Sequence, residues 1–429
     1  MLAPYDLSLT RREAEQRPIR VALIGAGNLA RMISLQLATP PPAGIRLVAI
    51  ANRTGSRASA LIREIGGEPF EISAAKPLDA PPDGRIGYSD DVLAVVRNEA
   101  VDVIVDATGT VDFSLAVVLH AIAHGKHVVL ANAELDSTLG PALKARADQA
   151  GVVYTNIDGD EPGVAMNLVR YARSLGLRPV AAGNLKGMID RFRNPDTQAG
   201  FAREHGQNPR IVTSFADGTK LSMEAAILAN ATGFRVSQPG MLGPACKHVR
   251  EIAGLLPSAE MLAHGLIDFA LGAEPHTGAF VVVHESLPAR QRWLRYLKMG
   301  EGPFYVLYTP YHLPHIQATA SIARAMDSRD ATVAPAGPNP VCQVVSRAKK
   351  DLAAGALLDG PGGFAAYGQI ENFDPSPLPQ QGLPIALSAG CTLLRPVARD
   401  ERIAVADVNF PAASAAVKMW REMLATASK

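Results

Sequence analysis

The sequence predicts an α/β protein that begins with a doubly wound parallel sheet of the Rossmann type. First, the β-branched run IRVALI at residues 19–24 leads into a glycine turn and then into helical apolar spacing. Second, strand-like and helix-like segments alternate as far as residue 157, as βα units do. Third, the composition changes after residue 330, where ATVAPAGPNP is typical of a linker. We therefore expect three domains: 1–157 for NAD(P) binding, an α+β substrate domain at 158–335, and a small β-rich domain at 336–429.

The composition excludes several classes of protein. Lysine and arginine together number 42 against 41 acidic residues, so no general attraction to nucleic acid or to an anionic membrane is expected. Cys246, Cys342 and Cys391 lie far apart, without metal-ligand spacing and without a nucleophile-like setting. The amino terminus is polar and no run approaches the roughly 18 apolar residues that a membrane helix needs. We expect a cytoplasmic protein with a small-molecule substrate.

The glycine turn after the first strand predicts a dinucleotide site. In GAGNLA, Gly25 permits the tight turn and Gly27 lets backbone N–H groups approach a pyrophosphate, while Ala30 packs the helix on the strand. Asn28 and Leu29 then begin the helix, whose N-terminus faces the negative charge. Such a turn can also be a simple connection between strand and helix.

The end of the second strand, IRLVAIAN, indicates which dinucleotide is bound. A fold of this type usually carries an acidic residue here for the ribose hydroxyls of NAD. This chain instead has Asn52 followed by Arg53, Thr54 and Arg57, which suit the 2′-phosphate of NADP because guanidinium groups bind phosphate bidentately. NADP is therefore the predicted cofactor, with NAD as the alternative if the arginines only begin an exposed helix.

Polar residues also follow the later strands of this predicted sheet. VDVIVDATG and HVVLAN are each followed by a helical segment, the second predicted over 139–150. Thr108, Gly109 and Asn132 stand at the strand ends, where they would meet the nicotinamide side of the crevice. Their alternative role is to end the strands. Between them and the second strand, the proline-containing segment 66–84 is predicted to be a surface insertion.

Three carboxylates fall within four positions in DGDE. Asp158, Asp160 and Glu161 come between the strand GVVYTNI and a helix, and one acidic residue there would serve as a helix cap. Three are more than a cap requires, and their repulsion needs a cation, a lysine or a shared proton. We predict that Asp160 or Glu161 faces Lys186, with a divalent metal as the less favoured partner.

A basic stretch, NLKGMIDRFRNPDTQ, follows the strand RPVAAGN. Lys186 would project from the strand end and could polarise a carbonyl oxygen or relay its proton. Arg191 and Arg193 suit a phosphate or carboxylate on the substrate. The competing interpretation is a solvated charged loop.

The following segment is expected to contribute mainly scaffold. FADGTK is interpreted as a strand and turn, followed by the helix LSMEAAILANATG, in which Lys220 and Glu224 are expected to be structural. Asn230 is a helix-capping residue with substrate contact as its second role. His312 is a candidate substrate contact. YHLPH has metal-like histidine spacing but no third ligand, so no metal site is predicted.

Together, the motifs GAGNLA, DATGT, VVLANAELD, DGDEPG, AGNLKG, FADGTK, ANATG and PYHL resemble the homoserine dehydrogenase superfamily. The chain is most similar to the branch of homoserine dehydrogenase-like oxidoreductases that carry a C-terminal SAF domain and include DXP reductoisomerase-like enzymes. The resemblance implies an NAD(P)-dependent homo-oligomeric oxidoreductase with an active-site lysine at position 186. Homoserine dehydrogenases usually have a lysine after the asparagine of VVTANK, whereas this chain has Ala133, which weakens the case for homoserine.

These expectations combine into one functional hypothesis with two alternatives. The chain would be an NADP-dependent oxidoreductase acting on a small polar carbonyl or hydroxyl compound with a phosphate or carboxylate group. The second hypothesis is a reductoisomerase of a sugar phosphate, the only interpretation that requires a divalent metal. The third is a non-catalytic dinucleotide sensor or scaffold.

Overall fold

The fold was analysed in a computed structural model, which describes residues 5–72 and 84–427. The chain divides into two compact units. Unit 1 comprises Met1–Asp136, Ala142–Gly163 and Leu313–Ala334, and unit 2 comprises Ser137–Pro141, Val164–His312 and Pro335–Lys429. Among the helices of the described ranges, none has the length and apolar character needed to cross a bilayer.

The strands of the described residues fall into one large sheet in unit 1 and several smaller sheets in unit 2. In chain order they are β1 (Ile19–Ile24), β2 (Ile45–Ala51), β3 (Pro69–Glu71), β4 (Ile86–Ser89), β5 (Val103–Asp106), β6 (His127–Leu130), β7 (Tyr154–Asn156), β8 (Arg178–Lys186), β9 (Leu266–Leu271), β10 (Ala279–His284), β11 (Phe304–Thr309), β12 (Cys342–Ala348), β13 (Ala366–Asn372), β14 (Thr392–Leu393) and β15 (Val408–Asn409).

The α-helices alternate with the strands through unit 1 and become more clustered in unit 2. In chain order they are α1 (Tyr5–Ala14), α2 (Asn28–Ala38), α3 (Gly55–Glu64), α4 (Val92–Arg97), α5 (Val111–Ala123), α6 (Ala133–Gln149), α7 (Glu161–Ser174), α8 (Pro195–Glu204), α9 (Pro209–Ala216), α10 (Thr219–Thr232), α11 (Ile252–Leu255), α12 (Ser258–His264), α13 (Pro288–Tyr296), α14 (Pro314–Ala323) and α15 (Ala415–Ala427).

Unit 1 is built around the predicted doubly wound sheet. Its seven described strands are all parallel and run in the order β3-β4-β2-β1-β5-β6-β7. The strands are almost continuously apolar because helices cover both faces, and their side chains form one core with α2 and α3. Since β1 has β2 on one side and β5 on the other, the chain reverses its winding direction at β1. Ligands bind at such switch points, outside the carboxyl ends of the strands.

Two boundaries in unit 1 differ from the sequence prediction. Helix α6 begins at Ala133 rather than Leu139, because the Asn132 side chain accepts a hydrogen bond from the Leu135 N–H at 2.9 Å and so caps the helix earlier. The predicted surface insertion at 66–84 supplies the edge strand β3. Residues 73–83 of that segment lie outside the described ranges.

Unit 2 contains a four-stranded sheet that carries the lysine singled out above. Its order is β11-β10-β8-β9, with β8 parallel to β9 and antiparallel to β10. Lys186 is the last residue of β8, which confirms that it projects from a strand end. Within this strand, a Cβ on Gly183 would stand only 1.6 Å from the carbonyl oxygen of Asp268 on β9. The close approach of the two backbones therefore requires glycine.

Helix α10 is the central packing element of unit 2. It contacts β8 and β9 on one side and the antiparallel hairpin β12–β13 on the other, and most of its side chains are buried. Gly218 before it and Gly233 after it both have φ of +82°, so each end uses the left-handed conformation that glycine adopts readily.

The strand interpretation of FADGTK was wrong. Residues 209–216 form helix α9, which begins with Pro209 in its first turn and is capped by the Asn208 side chain. Proline is pre-set for the first turn of a helix, and its preference outweighed the β-branched run that follows it. Asp217 therefore lies between two helices rather than at a strand end.

Residues after 335 form short strands and turns rather than a large sheet. The hairpin β12–β13 and the small pair β14–β15 are joined by irregular segments and short 3₁₀ turns, and α15 follows. These residues fall in the same compact unit as 164–312. The three-domain division and the assignment of an SAF domain stay predictions.

Candidate functional site

The glycine turn after β1 has the geometry of a phosphate-binding turn. Gly25 has φ of +116°, and a Cβ there would lie 2.9 Å from the carbonyl oxygen of Ala107, which follows β5. Gly27 is the N-cap of α2 and has no side-chain capping bond, and the space beside it is open. Because glycine supplies no capping side chain and leaves the approach open, the start of α2 suits the charge of a pyrophosphate.

The residues after β2 present unpaired cations. Arg53 is exposed and its guanidinium lies 5.3 Å from the centre of the Phe113 ring, and Arg57 is exposed in the first turn of α3. In the described ranges neither arginine forms an ion pair. Asn52 fixes the turn by donating its side-chain N–H to the Thr54 carbonyl at 3.1 Å. The Arg57 side chain is thus exposed in the first turn of α3 and is accessible to a phosphate.

Two orphaned polar atoms lie at the ends of β5 and β6. The Thr108 hydroxyl and the Asn132 side-chain nitrogen are buried and have no hydrogen-bond partner in the described part of the chain. The Asp106 carboxylate holds the β5 turn by accepting from the Thr108 N–H at 3.0 Å and from the Ser114 hydroxyl. Burial raises the pKa of Asp106. A carboxamide ligand would satisfy both orphaned atoms, so the residues of unit 1 fit a nicotinamide cofactor.

Asp158, the first carboxylate of DGDE, has a structural partner within unit 1. Its Oδ2 lies 3.1 Å from the Arg324 guanidinium and accepts from the Thr332 hydroxyl at 3.2 Å, and both ionic side chains are almost fully buried. The Asp158 N–H and the Ser321 hydroxyl oxygen are 2.6 Å apart. The cation that compensates the charge of Asp158 is therefore Arg324, which lies 166 positions further along the chain.

Asp160 and Glu161 are also buried, at the start of α7. Burial of this kind separates them from ordinary solvent-exposed helix caps, which is consistent with a functional use. They belong to unit 1 and Lys186 to unit 2. The pairing predicted between them stays a prediction.

A cluster of charged residues in unit 2 surrounds Glu224. The carboxylate is 2 % exposed and accepts a hydrogen bond from the Asn184 side chain at 2.9 Å. The Lys186 Nζ lies 3.7 Å from Oε2, and the Lys220 Nζ lies 3.4 Å from Oε1. Both lysines keep about a fifth of their side-chain surface exposed. A buried acid thus orients two partly accessible ammonium groups at the end of β8.

This arrangement can polarise a carbonyl oxygen and supply its proton, because an ammonium group fixed at a strand end donates hydrogen bonds without having to reorganise. From the sequence, Lys186 was predicted to be catalytic, whereas Lys220 and Glu224 were predicted to be structural. Their spacing of four residues was the available signal, since it places both on one face of a helix. What the sequence did not contain was the packing of that face against β8.

The two arginines of the basic stretch differ in their surroundings. Arg193 forms an ion pair with Asp190 at 3.0 Å, and its carbonyl accepts from the Lys349 Nζ at 2.7 Å. Arg191 is exposed and makes no hydrogen bond or ion pair with any described residue. Arg191 is therefore the better placed of the two to bind a ligand anion.

The two other substrate candidates are held by neighbouring groups. Asn230 is 3 % exposed and its Oδ1 accepts from the N–H groups of Val341, at 2.7 Å, and Cys342, at 3.1 Å. This geometry favours a structural role for Asn230 over the predicted substrate contact. The Nδ1 of His312 lies 2.9 Å from the Thr277 hydroxyl, and the ring is partly exposed, so its predicted contact with substrate stays open.

The cysteines offer no activated thiol. Burial raises the pKa of Cys342 and of Cys391 to about 12. Cys246 is partly exposed, and desolvation raises its pKa as well. A thiolate nucleophile would need its pKa lowered, so thioester chemistry is not supported at these positions.

Two family models match successive parts of this chain. Residues 25–156 match the family described as "Homoserine dehydrogenase, NAD binding domain". Residues 159–318 match the family described as "Oxidoreductase DRL, catalytic domain". The first range includes the glycine turn after β1, and the second includes the cluster around Glu224.

Individual proteins are similar to this chain over parts of its length. Homoserine dehydrogenase from Mycobacterium leprae is 26 % identical over 231 residues, 51 % of this chain and 48 % of that protein. The Pseudomonas aeruginosa enzyme is 34 % identical over 88 residues, 20 % of each chain. The chain thus spans less than half the length of these curated relatives. A solved homoserine dehydrogenase from Thiobacillus denitrificans aligns with a TM-score of 0.43 and 19 % identity, over 73 % of this chain and 74 % of that one.

Proposed function

We propose that the chain is a homoserine dehydrogenase-like, NAD(P)-dependent oxidoreductase that interconverts a small polar carbonyl compound and its alcohol, using NADP. The substrate would carry a phosphate or a carboxylate. The observation that carries the proposal is the cluster in which buried Glu224 orients the ammonium group of Lys186 at the end of β8.

The cofactor part of the proposal rests on unit 1. The N–H groups at the start of α2 would hold the pyrophosphate, and Thr108 and Asn132 would hold the carboxamide with their orphaned polar atoms. Arg53 and Arg57 would bind the 2′-phosphate, because both are exposed and unpaired in the described ranges. The bound nicotinamide supplies or accepts the hydride.

The chain's own residues would manage charge and protons. During reduction the Lys186 ammonium would donate a hydrogen bond to the carbonyl oxygen and then transfer a proton to it as the alkoxide develops. Glu224 would keep this lysine in place, and Lys220 would stand beside it as a second cation. Asp160 and Glu161 complete the proposal as carboxylates that set the charge and position of Lys186. Arg191 would be a candidate for the substrate's anionic end.

The test is Lys186→Ala, with NADPH oxidation followed against a panel of amino-acid semialdehydes and phosphorylated ketoses. General acid catalysis typically contributes 10²- to 10⁴-fold, so we expect kcat to fall by about 100-fold or more while NADPH binding is retained. Lys247→Ala, at an exposed lysine of the same unit, is the matched control and should retain full turnover.

The same panel separates the other interpretations. Turnover of a phosphorylated ketose that disappears with a chelator and returns with a divalent metal would favour a reductoisomerase. A protein that binds NADPH but oxidises it with no compound of the panel would favour a sensor or scaffold. Lys186→Ala turning over as fast as the wild type would contradict the assigned role of the lysine.

A further inference from the structure

Unit 2 contains a small, half-open pocket at the N-terminus of α10. Its inner space of about 30 Å³ admits one or two oxygen-sized atoms of a ligand whose remainder lies at the open side, and it is far too small for a nucleotide. The first turn of α10 forms its base, Met241 and Phe269 form one wall, and Tyr367 forms the other. The predicted and proposed roles described so far leave this pocket unused, except for Arg191 at its edge.

Two buried side chains in the pocket lack partners. Ser222 is 5 % exposed and Gln369 is 6 % exposed, and both line the cavity. Neither the Ser222 hydroxyl nor the Gln369 carboxamide hydrogen-bonds to any other described residue. Neither group is among the fully buried polar atoms that lack a partner, so each faces the open space of the pocket, where a ligand can form a hydrogen bond with it. A ligand in the cavity would supply the missing partner.

The polar groups converge on one point. The Gln369 Nε2 lies 2.6 Å, and the Arg191 Nη2 lies 3.3 Å, from the position that a Cβ on Gly240 would occupy. Gly240 has φ of +82° and its missing side chain leaves room for both donors. Within the described ranges the Arg191 guanidinium has no ion pair. The Gln369 amide and the Arg191 guanidinium therefore lie close together at Gly240, and the Ser222 hydroxyl lines the same pocket.

The first turn of α10 adds a further donor. Helix α10 has 14 residues, and its Thr219 N–H is already bound to the Asp217 carboxylate at 2.8 Å. The Leu221 N–H belongs to the same first turn and lies beside the pocket that Leu221 lines. Asp217 is the one acidic residue lining the cavity, but its carboxylate is paired with the Lys349 ammonium at 2.7 Å. Its negative charge is therefore compensated before a ligand arrives.

We propose that this pocket binds a small oxyanion, a carboxylate or a phosphate group, through Arg191, Gln369, Ser222 and the N-terminus of α10. Donors without acceptors, arranged around a cavity of this size, are the pattern that recognises such a group. The inference does not depend on the proposed carbonyl chemistry.

The pocket is separate from the Glu224 cluster on α10. An α-helix turns about 100° per residue, so Ser222 and Glu224 point about 160° apart around the axis. Ser222 lines the pocket, whereas Glu224 contacts Asn184 and Lys186 of β8. One helix thus serves two sites with opposite faces.

The probe is inorganic phosphate, titrated calorimetrically into the full chain in the presence of saturating NADP⁺, which blocks the phosphate-binding residues of unit 1. Arg191→Gln removes a charged donor and should weaken phosphate binding about tenfold or more. Gln369→Glu keeps the shape of the side chain, places a negative charge beside the anion, and should weaken binding to a similar extent. Arg203→Gln, an exposed arginine of α8, should change the dissociation constant by less than about twofold.

Unfolding midpoints of all variants establish that each one is folded. Saturable phosphate binding that is lost in both pocket variants and kept in the control supports the site. No saturable binding to the wild type, or equal binding by Arg191→Gln and the wild type, would overturn it.

A kinetic arm identifies the source of the anion. Phosphate that competes with the carbonyl substrate, raising its KM, identifies the pocket as the place for the substrate's anionic end. Phosphate that changes kcat and leaves KM unchanged identifies a separate effector anion. Lys186→Ala should bind phosphate as the wild type does, so a failure of the proposed catalysis is distinguishable from a failure of this site.

Discussion

Two of the lysine–carboxylate pairs in unit 2 differ in almost every respect. Lys349 and Asp217 are 2.7 Å apart and 3 % and 0 % exposed, and Lys349 also donates to the carbonyls of Arg193 and Gly363, each at 2.7 Å. Lys186 and Glu224 are 3.7 Å apart, and Lys186 keeps 21 % of its side-chain surface exposed. The first lysine has all three N–H donors occupied, and the second is accessible to solvent.

The difference separates a fully buried ion pair from one whose lysine stays partly accessible. A buried pair with all its donors used fixes the chain, since moving either group would leave a charge without a partner. Burial raises the pKa of Asp217 although Lys349 acts in the opposite direction, which indicates how costly the site is for a charge. A lysine at a strand end, held by a buried acid but open on one side, can still approach a substrate.

The largest expected effect is the loss of stability when the buried Lys349–Asp217 pair is broken. Lys349→Met leaves the Asp217 carboxylate buried without a cation and should lower the free energy of unfolding by about 3–5 kcal/mol. Lys186→Met should cost no more than about 1 kcal/mol, because Glu224 keeps Lys220 and Asn184 as partners. Urea denaturation measures both.

Lys350→Met, at the exposed neighbouring lysine, is the matched control and should leave stability unchanged. Adding Asp217→Asn to Lys349→Met should recover part of the loss, because it removes the unpaired charge. If Lys186→Met proved as destabilising as Lys349→Met, the distinction between the two pairs would be lost.

A buried acid without a lysine extends the comparison to unit 1. Asp136 accepts from the Tyr154 hydroxyl at 2.8 Å and from the Asn156 side chain at 3.1 Å, and it has no ion-pair partner among the described residues. Burial raises the pKa of Asp136 from 3.8 to about 6. The folded state therefore binds this proton more tightly than the unfolded state does, and stability should fall as pH rises from 3.8 to about 6.

We expect Asp136→Asn to remove this part of the pH dependence, on the order of 2 kcal/mol across that interval. The substitution is nearly isosteric, and the buried Asn156 Oδ1, which has no partner in the described residues, could accept from the new amide after a rotation of its side chain. Unfolding free energies of both proteins at several pH values provide the measurement. Parallel pH profiles would contradict the predicted titration.

The smallest expected effect is on cofactor preference, and it concerns exposed arginines that have no acidic partner in the described ranges. Arg53→Asp should reduce the preference for NADPH over NADH about tenfold or more, because it replaces a phosphate-binding cation with an anion. Arg63→Asp, on an exposed position of α3, makes the same charge change away from the end of β2 and should leave the preference unchanged. The ratio of kcat/KM for the two cofactors decides, and an unchanged ratio in Arg53→Asp would favour NAD.

The sequence predicted best what is encoded in neighbouring residues. The strand, glycine turn and helix around Gly25 are contiguous, so the parallel sheet and the position of the turn could be inferred from local pattern. Lys186 was placed correctly at a strand end for the same reason. FADGTK was interpreted as a strand, although Asn208 and Pro209, which begin the helix at 209–216, precede it in the sequence.

What sequence reasoning missed depends on distant contacts. Arg324 reaches Asp158 across 166 positions, and Lys349 reaches Asp217 from the C-terminal segment. Glu224 acquires its surroundings only when α10 packs on β8. No local periodicity encodes such partners, because they are selected by tertiary packing rather than by the preference of any one residue.

The hydrogen bond from the Lys349 Nζ to the Arg193 carbonyl connects the C-terminal segment of unit 2 to the loop that carries Arg191 and Arg193. A segment remote in the chain supports the backbone from which Arg191 and Arg193 project. Deletion of that segment would release the loop that carries the two arginines from this anchor.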